Sequence, residues 1–159
     1  MLLYHGSNVE VREPRILPKL RALDFGAGFY MTSVRQQAEK WANLMARRRK
    51  TGAAVVSVFE LKAEILNSLN ILRFDTPDGE WLDYVTANRM EADRTDDWDI
   101  VIGPVANDNT MTVLNMYFNG DYSKDEAVRR LLTQKLNDQY AIKTVAALNA
   151  LEFKEVILL

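Results

Sequence analysis

The run Ala53 to Leu61 carries Val55-Val56-Ser57-Val58-Phe59 at its centre. Consecutive β-branched and aromatic side chains fit a pleated surface with neighbours packed on it, so this run reads as a buried strand. What precedes it is helical. Val34, Ala38, Trp41, Ala42 and Met45 recur at helical spacing, Ser33 offers an N-cap, and the pattern stops at Thr51-Gly52. The remaining segments follow no regular βαβ alternation. Short strands are expected at Leu2 to His5, Asn70 to Phe74, Asp99 to Val105, Gln139 to Lys143 and Glu155 to Leu159. Helices are expected at Glu80 to Arg89, Asn107 to Phe118, Lys124 to Leu136 and after a Thr144 cap as far as Leu151. That order predicts an α+β fold with an antiparallel or mixed sheet.

Val9 to Leu17 reads as a loop, and Arg21 to Thr32 is rich in glycine and aromatics. No repeat, low-complexity tract or linker interrupts the pattern, so residues 1–159 are expected to form a single domain. The chain is 48% hydrophobic and 26% charged, enough for a core. With a net charge of −2 there is no general attraction to nucleic acid. The absence of cysteine rules out disulfides and thiolate metal sites, and a lone histidine rules out a multi-histidine zinc site. No apolar run approaches the about 18 residues of a membrane span, and the start lacks a signal-peptide pattern. The expectation is a cytoplasmic protein with no membrane partner.

Three places can carry chemistry. The single histidine stands in Tyr4-His5-Gly6-Ser7, where a ring that donates and accepts hydrogen bonds adjoins bare backbone. Gly26-Ala27-Gly28-Phe29-Tyr30 has phosphate-loop glycines without the full dinucleotide spacing or a P-loop lysine. It reads better as a sharp bend delivering an aromatic, with Phe29 and Tyr30 on opposite sides of an extended segment. Asn137-Asp138-Gln139-Tyr140 opens a late strand. Asp108 reads as a helix cap, and Arg47 to Lys50 as a solvated, dipole-compatible helix end.

Together these marks resemble the ADP-ribosyltransferase superfamily, in its His-Tyr-Glu branch. The chain resembles an uncharacterised bacterial family assigned there. The resemblance runs through Tyr-His-Gly-Ser, Asp24-Phe25-Gly26-x-Gly28-Phe29-Tyr30-x-Thr32, Gln37-Ala38-x-x-Trp41-Ala42, Gly103-Pro104-Val105-Ala106 and Asp138-Gln139-Tyr140, with Thr144, Leu148 and Leu151-x-Phe153 beyond. It implies a split, strongly bent sheet with an NAD cleft between its halves, NAD being a substrate. His5 would then bond a ribose hydroxyl, and Gly6 would hold the nicotinamide carboxamide with Ser7 as a second contact. Gly28 would shape the loop, and Tyr30 would stack on the nicotinamide. Gln139 stands where that branch has glutamate, so the charge that stabilises an oxocarbenium-like transition state is missing. Losing such a group costs about 3 kcal/mol or more of the barrier. Asp138 and Glu152 are the acids considered as substitutes, although Asp138 should face away from Gln139. The implied activity is mono-ADP-ribosylation of a protein or nucleic-acid acceptor, in the manner of a toxin with an antitoxin partner. The alternative is a non-catalytic nucleotide- or partner-binding module. An RNA 2′-phosphotransferase ranks last, because no basic cluster accompanies the His5 motif.

Overall fold

The computed structural model describes residues 1–16, 23–91 and 94–159. In chain order the elements are β1 (Leu2–Ser7), β2 (Phe29–Met31), α1 (Arg35–Arg49), β3 (Val55–Leu61), α2 (Ala63–Leu66), β4 (Ile71–Arg73), α3 (Gly79–Met90), β5 (Ile100–Pro104), α4 (Asp108–Phe118), α5 (Lys124–Leu132), β6 (Asp138–Ile142), α6 (Val145–Leu148) and β7 (Leu151–Leu158). The fold is α+β. Its sheet is bent and split into a three-stranded half, β1-β3-β7, and a four-stranded half, β2-β6-β5-β4. All pairings are antiparallel except β4 with β5. One antiparallel bridge joins the halves. Tyr4 N–H donates to Thr32 O at 2.8 Å, and Thr32 N–H donates to Tyr4 O at 3.0 Å.

The two faces of this split sheet are covered differently. One face is continuous across the seam, with Leu3, Phe29, Met31, Phe59, Ile102, Tyr140 and Ile142 in a single apolar cluster that α2 and α6 help to close. The opposite face is divided. Ala38 and Ala42 of α1 pack on Val56 and Val58 of the three-stranded half. Trp81, Leu82 and Val85 of α3, Leu114 of α4, and Ala127 and Leu131 of α5 cover Val101 and Ala141 of the four-stranded half. Among the described residues, no apolar cluster joins these two helical layers, so the seam between them is lined by main chain and polar side chains.

Several elements differ from the sequence expectation, each for a local reason. Trp41 is 41% exposed, because the inward stripe of α1 is only Ala38, Ala42 and Met45. Small residues there let the helix lie close to β1. Ser33 does not cap α1; Val34 holds the cap position, and the Ser33 hydroxyl donates to Asp138 instead. Asn107, not Asp108, caps α4 through its side chain. α5 stops at Leu132, whose side chain is exposed. β7 begins at Leu151 rather than Glu155, and α2 has no counterpart in the periodicity. Thr144 does cap α6, accepting from Ala147 N–H at 3.2 Å. Leu17, at the end of the expected loop, and the start of the glycine-rich stretch lie outside the described residues.

Among the described residues, no helix is long and apolar enough to cross a membrane.

Candidate functional site

β1 lies antiparallel to β3, with His5 opposite Ser57 and Gly6 opposite Val56. In an antiparallel ladder the main-chain groups of alternate residues point to alternate sides. Tyr4 bonds Thr32 across the seam, so the N–H and C=O of Gly6 also point into the seam. A continued ladder would pair Gly6 with Tyr30. That pairing does not occur. The Tyr30 carbonyl is taken by His5 Nδ1 at 2.8 Å. A side chain thus ends the ladder one residue past the bridge, and the amide of Gly6 is left facing the opening.

His5 is held from its other side as well. Its ring stacks on Phe29, with centroids 4.3 Å apart and planes 29° apart. Burial depresses the imidazole pKa, outweighing the opposing bond to the Tyr30 carbonyl, while Arg49 adds to the depression. The ring is therefore neutral at pH 7. Because a carbonyl can only accept, Nδ1 carries the proton and Nε2 keeps a lone pair. That Nε2 has no partner among the described residues.

Gly6 answers to packing on the same spot. A Cβ there would sit 2.0 Å from the carbonyl oxygen of Ala38, so α1 could not approach β1 as it does. The hydroxyl of Ser7 is buried and reaches only the N–H of Val9, at 3.5 Å.

The glycine-rich bend closes on its own tyrosine. Tyr30 donates its hydroxyl to Gly26 O at 2.6 Å and accepts from Phe25 N–H at 3.1 Å. Burial pushes the phenol pKa far up, against the Phe25 bond, so Tyr30 stays protonated and is no base. Gly26 takes a positive φ of 81°, which glycine adopts without strain. Gly28 lies so near β6 that a Cβ would meet Ile142 O at 3.0 Å. Beside this bend, Lys143 pairs with Asp96 at 2.8 Å, and Tyr84 donates to the same carboxylate at 2.6 Å. Burial pushes the Asp96 pKa up, but the Lys143 ammonium and the Tyr84 hydroxyl outweigh it and hold it below the usual carboxylate value.

At the start of β6, two neighbouring residues have opposite fates. Asp138 accepts from Thr32 Oγ1 at 3.0 Å, from Ser33 N–H at 2.8 Å and from the Ser33 hydroxyl. It ties the β2–α1 corner to a residue 105 positions away. Gln139 is 7% exposed, yet its Nε2 is buried with no hydrogen-bond partner. Gln37 of α1 donates Nε2 to Asp138 O at 3.3 Å, and its own Oε1 is also buried and unpartnered.

Strand alternation sets Gln139, Ala141, Tyr30 and Thr32 on the divided face of the sheet. His5 lies on the continuous apolar face with Phe29. The structure thus brings β1, β2 and β6 together at the seam but points the His5 ring away from Gln139. Asp138 is committed to the corner, and Glu152 is a surface residue paired with Lys154 and Lys62. Asp108 is exposed in the first turn of α4. The chemistry the seam offers is hydrogen bonding by neutral groups: an amide side chain and, among the described residues, an unpaired peptide unit. No cluster of three metal-ligating side chains occurs among the described residues.

Sequence reasoning missed Thr32, Ser33 and Gln37 as site-forming residues, and Asn8, which is buried and accepts from Arg49 Nη1 at 2.9 Å. Thr32 and Gln37 fall in the motifs quoted above and Ser33 in the expected cap, but their partners, which come from distant strands, leave no local signal.

The fold and site define a split-sheet α+β domain with a polar seam between its halves. The chain belongs to the family described as Protein of unknown function (DUF3990), whose model matches residues 1–153. No curated protein and no solved structure matches it.

Proposed function

We propose that this chain binds NAD at the seam and transfers its ADP-ribose to a macromolecular acceptor. The observation that carries the reading is Gln139, a buried carboxamide whose Nε2 has no partner. An orphaned buried polar group costs about 1–3 kcal/mol, a cost that a ligand hydroxyl or carbonyl would remove on binding. Two further features support it. The sheet is split where the ADP-ribosyltransferase resemblance implies a cleft. Gly6 also presents an N–H and a C=O side by side, the complement of a carboxamide such as that of nicotinamide.

On this reading the Gly6 peptide unit holds the carboxamide and Gln139 bonds a ribose hydroxyl. The ring of Tyr30 borders the nicotinamide. His5 acts by keeping the Tyr30 carbonyl away from Gly6, so it holds the cleft open, and Nε2 is the ring atom it keeps for a ribose hydroxyl. Ser7 and Gly28 shape the rim. A cytoplasmic setting and an antitoxin partner belong to the same reading.

Titration calorimetry with NAD is the first test, and saturable binding that Gln139→Met abolishes is expected. The absence of heat at millimolar NAD would reject the proposal. Turnover is read as nicotinamide release by chromatography, with Gln139→Glu releasing more than the native chain. A non-catalytic binding module is favoured by one observation: the adjacent carboxylate, Asp138, already accepts three hydrogen bonds. NAD binding without nicotinamide release in either protein selects that second reading.

A further inference from the structure

The cations of this chain are unevenly partnered. Arg12, Arg35, Lys62, Arg89, Lys124, Arg129, Arg130, Lys143 and Lys154 each face a carboxylate. Among the described residues, Arg15, Arg73 and Lys135 also lack such a pair, but they stand apart in the sequence, whereas the outward side of α1 gathers several in one stretch. Lys40, Arg47, Arg48 and Lys50 are exposed and pair with no acid among the described residues. The one acid of α1, Glu39, is turned to Arg35 at 2.7 Å. Lys40 and Arg47 lie seven residues apart, two turns and about 10 Å along the same side of the helix. With Asn43 and Leu44 they line a shallow groove. Trp41 stands beside them, 41% exposed, and Arg48 lies two turns beyond it on its own side.

We infer that this face of α1 binds single-stranded nucleic acid. Three properties select that partner. The chain carries a net charge of −2, so a concentrated, unpaired basic stripe runs against the composition around it. Lys40, Arg47 and Arg48 are spaced to follow a phosphate backbone, and Asn43 adds a polar contact. Trp41 supplies a partly exposed indole, and every unpaired base can stack a face on an aromatic ring. A duplex hides those faces, which makes the single strand the better ligand. An anionic membrane surface is a poorer fit, because the apolar stripe of α1, Ala38 to Met45, is already buried against the sheet. The inference stands apart from the NAD reading, since the stripe lies on the solvent side of α1 and the seam on the other.

The test uses the whole chain and fluorescence polarisation with labelled single-stranded RNA and DNA oligonucleotides of mixed sequence. Saturable binding is expected, with a log–log salt slope of about −2 to −3 for three or four phosphate contacts. Arg47→Glu with Arg48→Glu should weaken binding at least about tenfold and flatten that slope. Trp41→Ala should weaken it about tenfold while leaving the slope unchanged. Lys135→Glu, an exposed cation elsewhere, should change it less than about twofold. Far-ultraviolet circular dichroism should be the same for all variants, since each altered side chain faces solvent. Three results would overturn the inference: no saturable binding at low salt, equal binding by the α1 variants and the native chain, or capture by phosphatidylserine vesicles without capture by oligonucleotides. Loss of NAD binding with oligonucleotide binding intact would reject only the seam proposal.

Discussion

The bend before β2 and the seam beside β6 are both buried and both polar, yet they are completed in opposite ways. At the bend the network is nearly closed: Tyr30 pairs with Gly26 and Phe25, and Lys143 and Tyr84 both pair with Asp96, while Arg94 Nε, over the Tyr84 ring, is buried without a partner. At the seam the Nε2 of Gln139 and the Oε1 of Gln37 have none, and the Gly6 peptide unit faces an ended ladder. Buried polar groups are nearly always satisfied in folded proteins. A closed network therefore reads as structure, and orphaned groups clustered at a gap between strands read as a place for a ligand. The contrast is sharpest within β6, where Asp138 is saturated and the next residue is not.

The largest expected effect tests the closed side. Lys143→Met removes the ammonium and leaves the Asp96 carboxylate buried without its counter-charge. Urea unfolding should show a loss of about 3 kcal/mol. A loss below about 1 kcal/mol would mean that water reaches the pair and that the bend is less closed than its contacts indicate.

Asp138→Ala comes next. It strips the acceptor from Thr32 and from two groups of Ser33, so the corner before α1 loses its side-chain anchor to β6, and only the bond from Gln37 to the Asp138 carbonyl remains. About 2 kcal/mol is expected, because hydrogen bonds to a charged acceptor are the stronger kind. The same variant should lower NAD affinity only indirectly, through the loosened corner.

A pH-dependent effect separates the two regions further. The folded-state pKa of His5 lies below its unfolded value, so the unfolded chain takes up a proton that the native state refuses. Stability should be fully present above about pH 6.5 and fall as pH drops below it. Urea midpoints measured between pH 7 and pH 5 should decline for the native chain and stay level for His5→Gln. Asp96 is also lowered in the folded state, so its contribution is kept above the ordinary carboxylate pKa and lost only at more acid pH, in a distinct window.

The smallest effect on stability is the most telling for function. Gln139→Met keeps the volume and removes an amide whose Nε2 has no partner. Stability should move by less than about 0.5 kcal/mol, or rise, while NAD binding is lost. A drop of about 2 kcal/mol would show that the Gln139 amide is satisfied after all, and the contrast with Asp138 would collapse.

Much of the architecture could be read from local pattern. The Val55 to Phe59 run is a central strand because apolar, β-branched side chains serve both covered faces. Trp81, Leu82 and Val85 face inward as their spacing requires. The bend at Gly26 needs the positive φ that glycine allows. The site was legible only in part. His5, Gly6, Tyr30 and Gln139 stand out as residue types beside bare backbone or at strand mouths. Their orientations do not. The ring of His5 turns to Phe29, and the hydroxyl of Tyr30 turns back to its own bend, because those contacts bury apolar surface and satisfy a buried phenol.

The sequence by itself determined the α+β class and excluded thiolate and multi-histidine sites, since composition and periodicity act locally and by exclusion. Only the tertiary structure decided that the sheet would split after Tyr4, that Asp138 would be saturated and Gln139 left open, and that Trp41 would stand among unpaired cations. Each of those outcomes depends on which strand or helix arrives alongside. A hydrogen-bonding group is defined by its partner, and at this seam the partners lie as far as 106 residues apart in the chain.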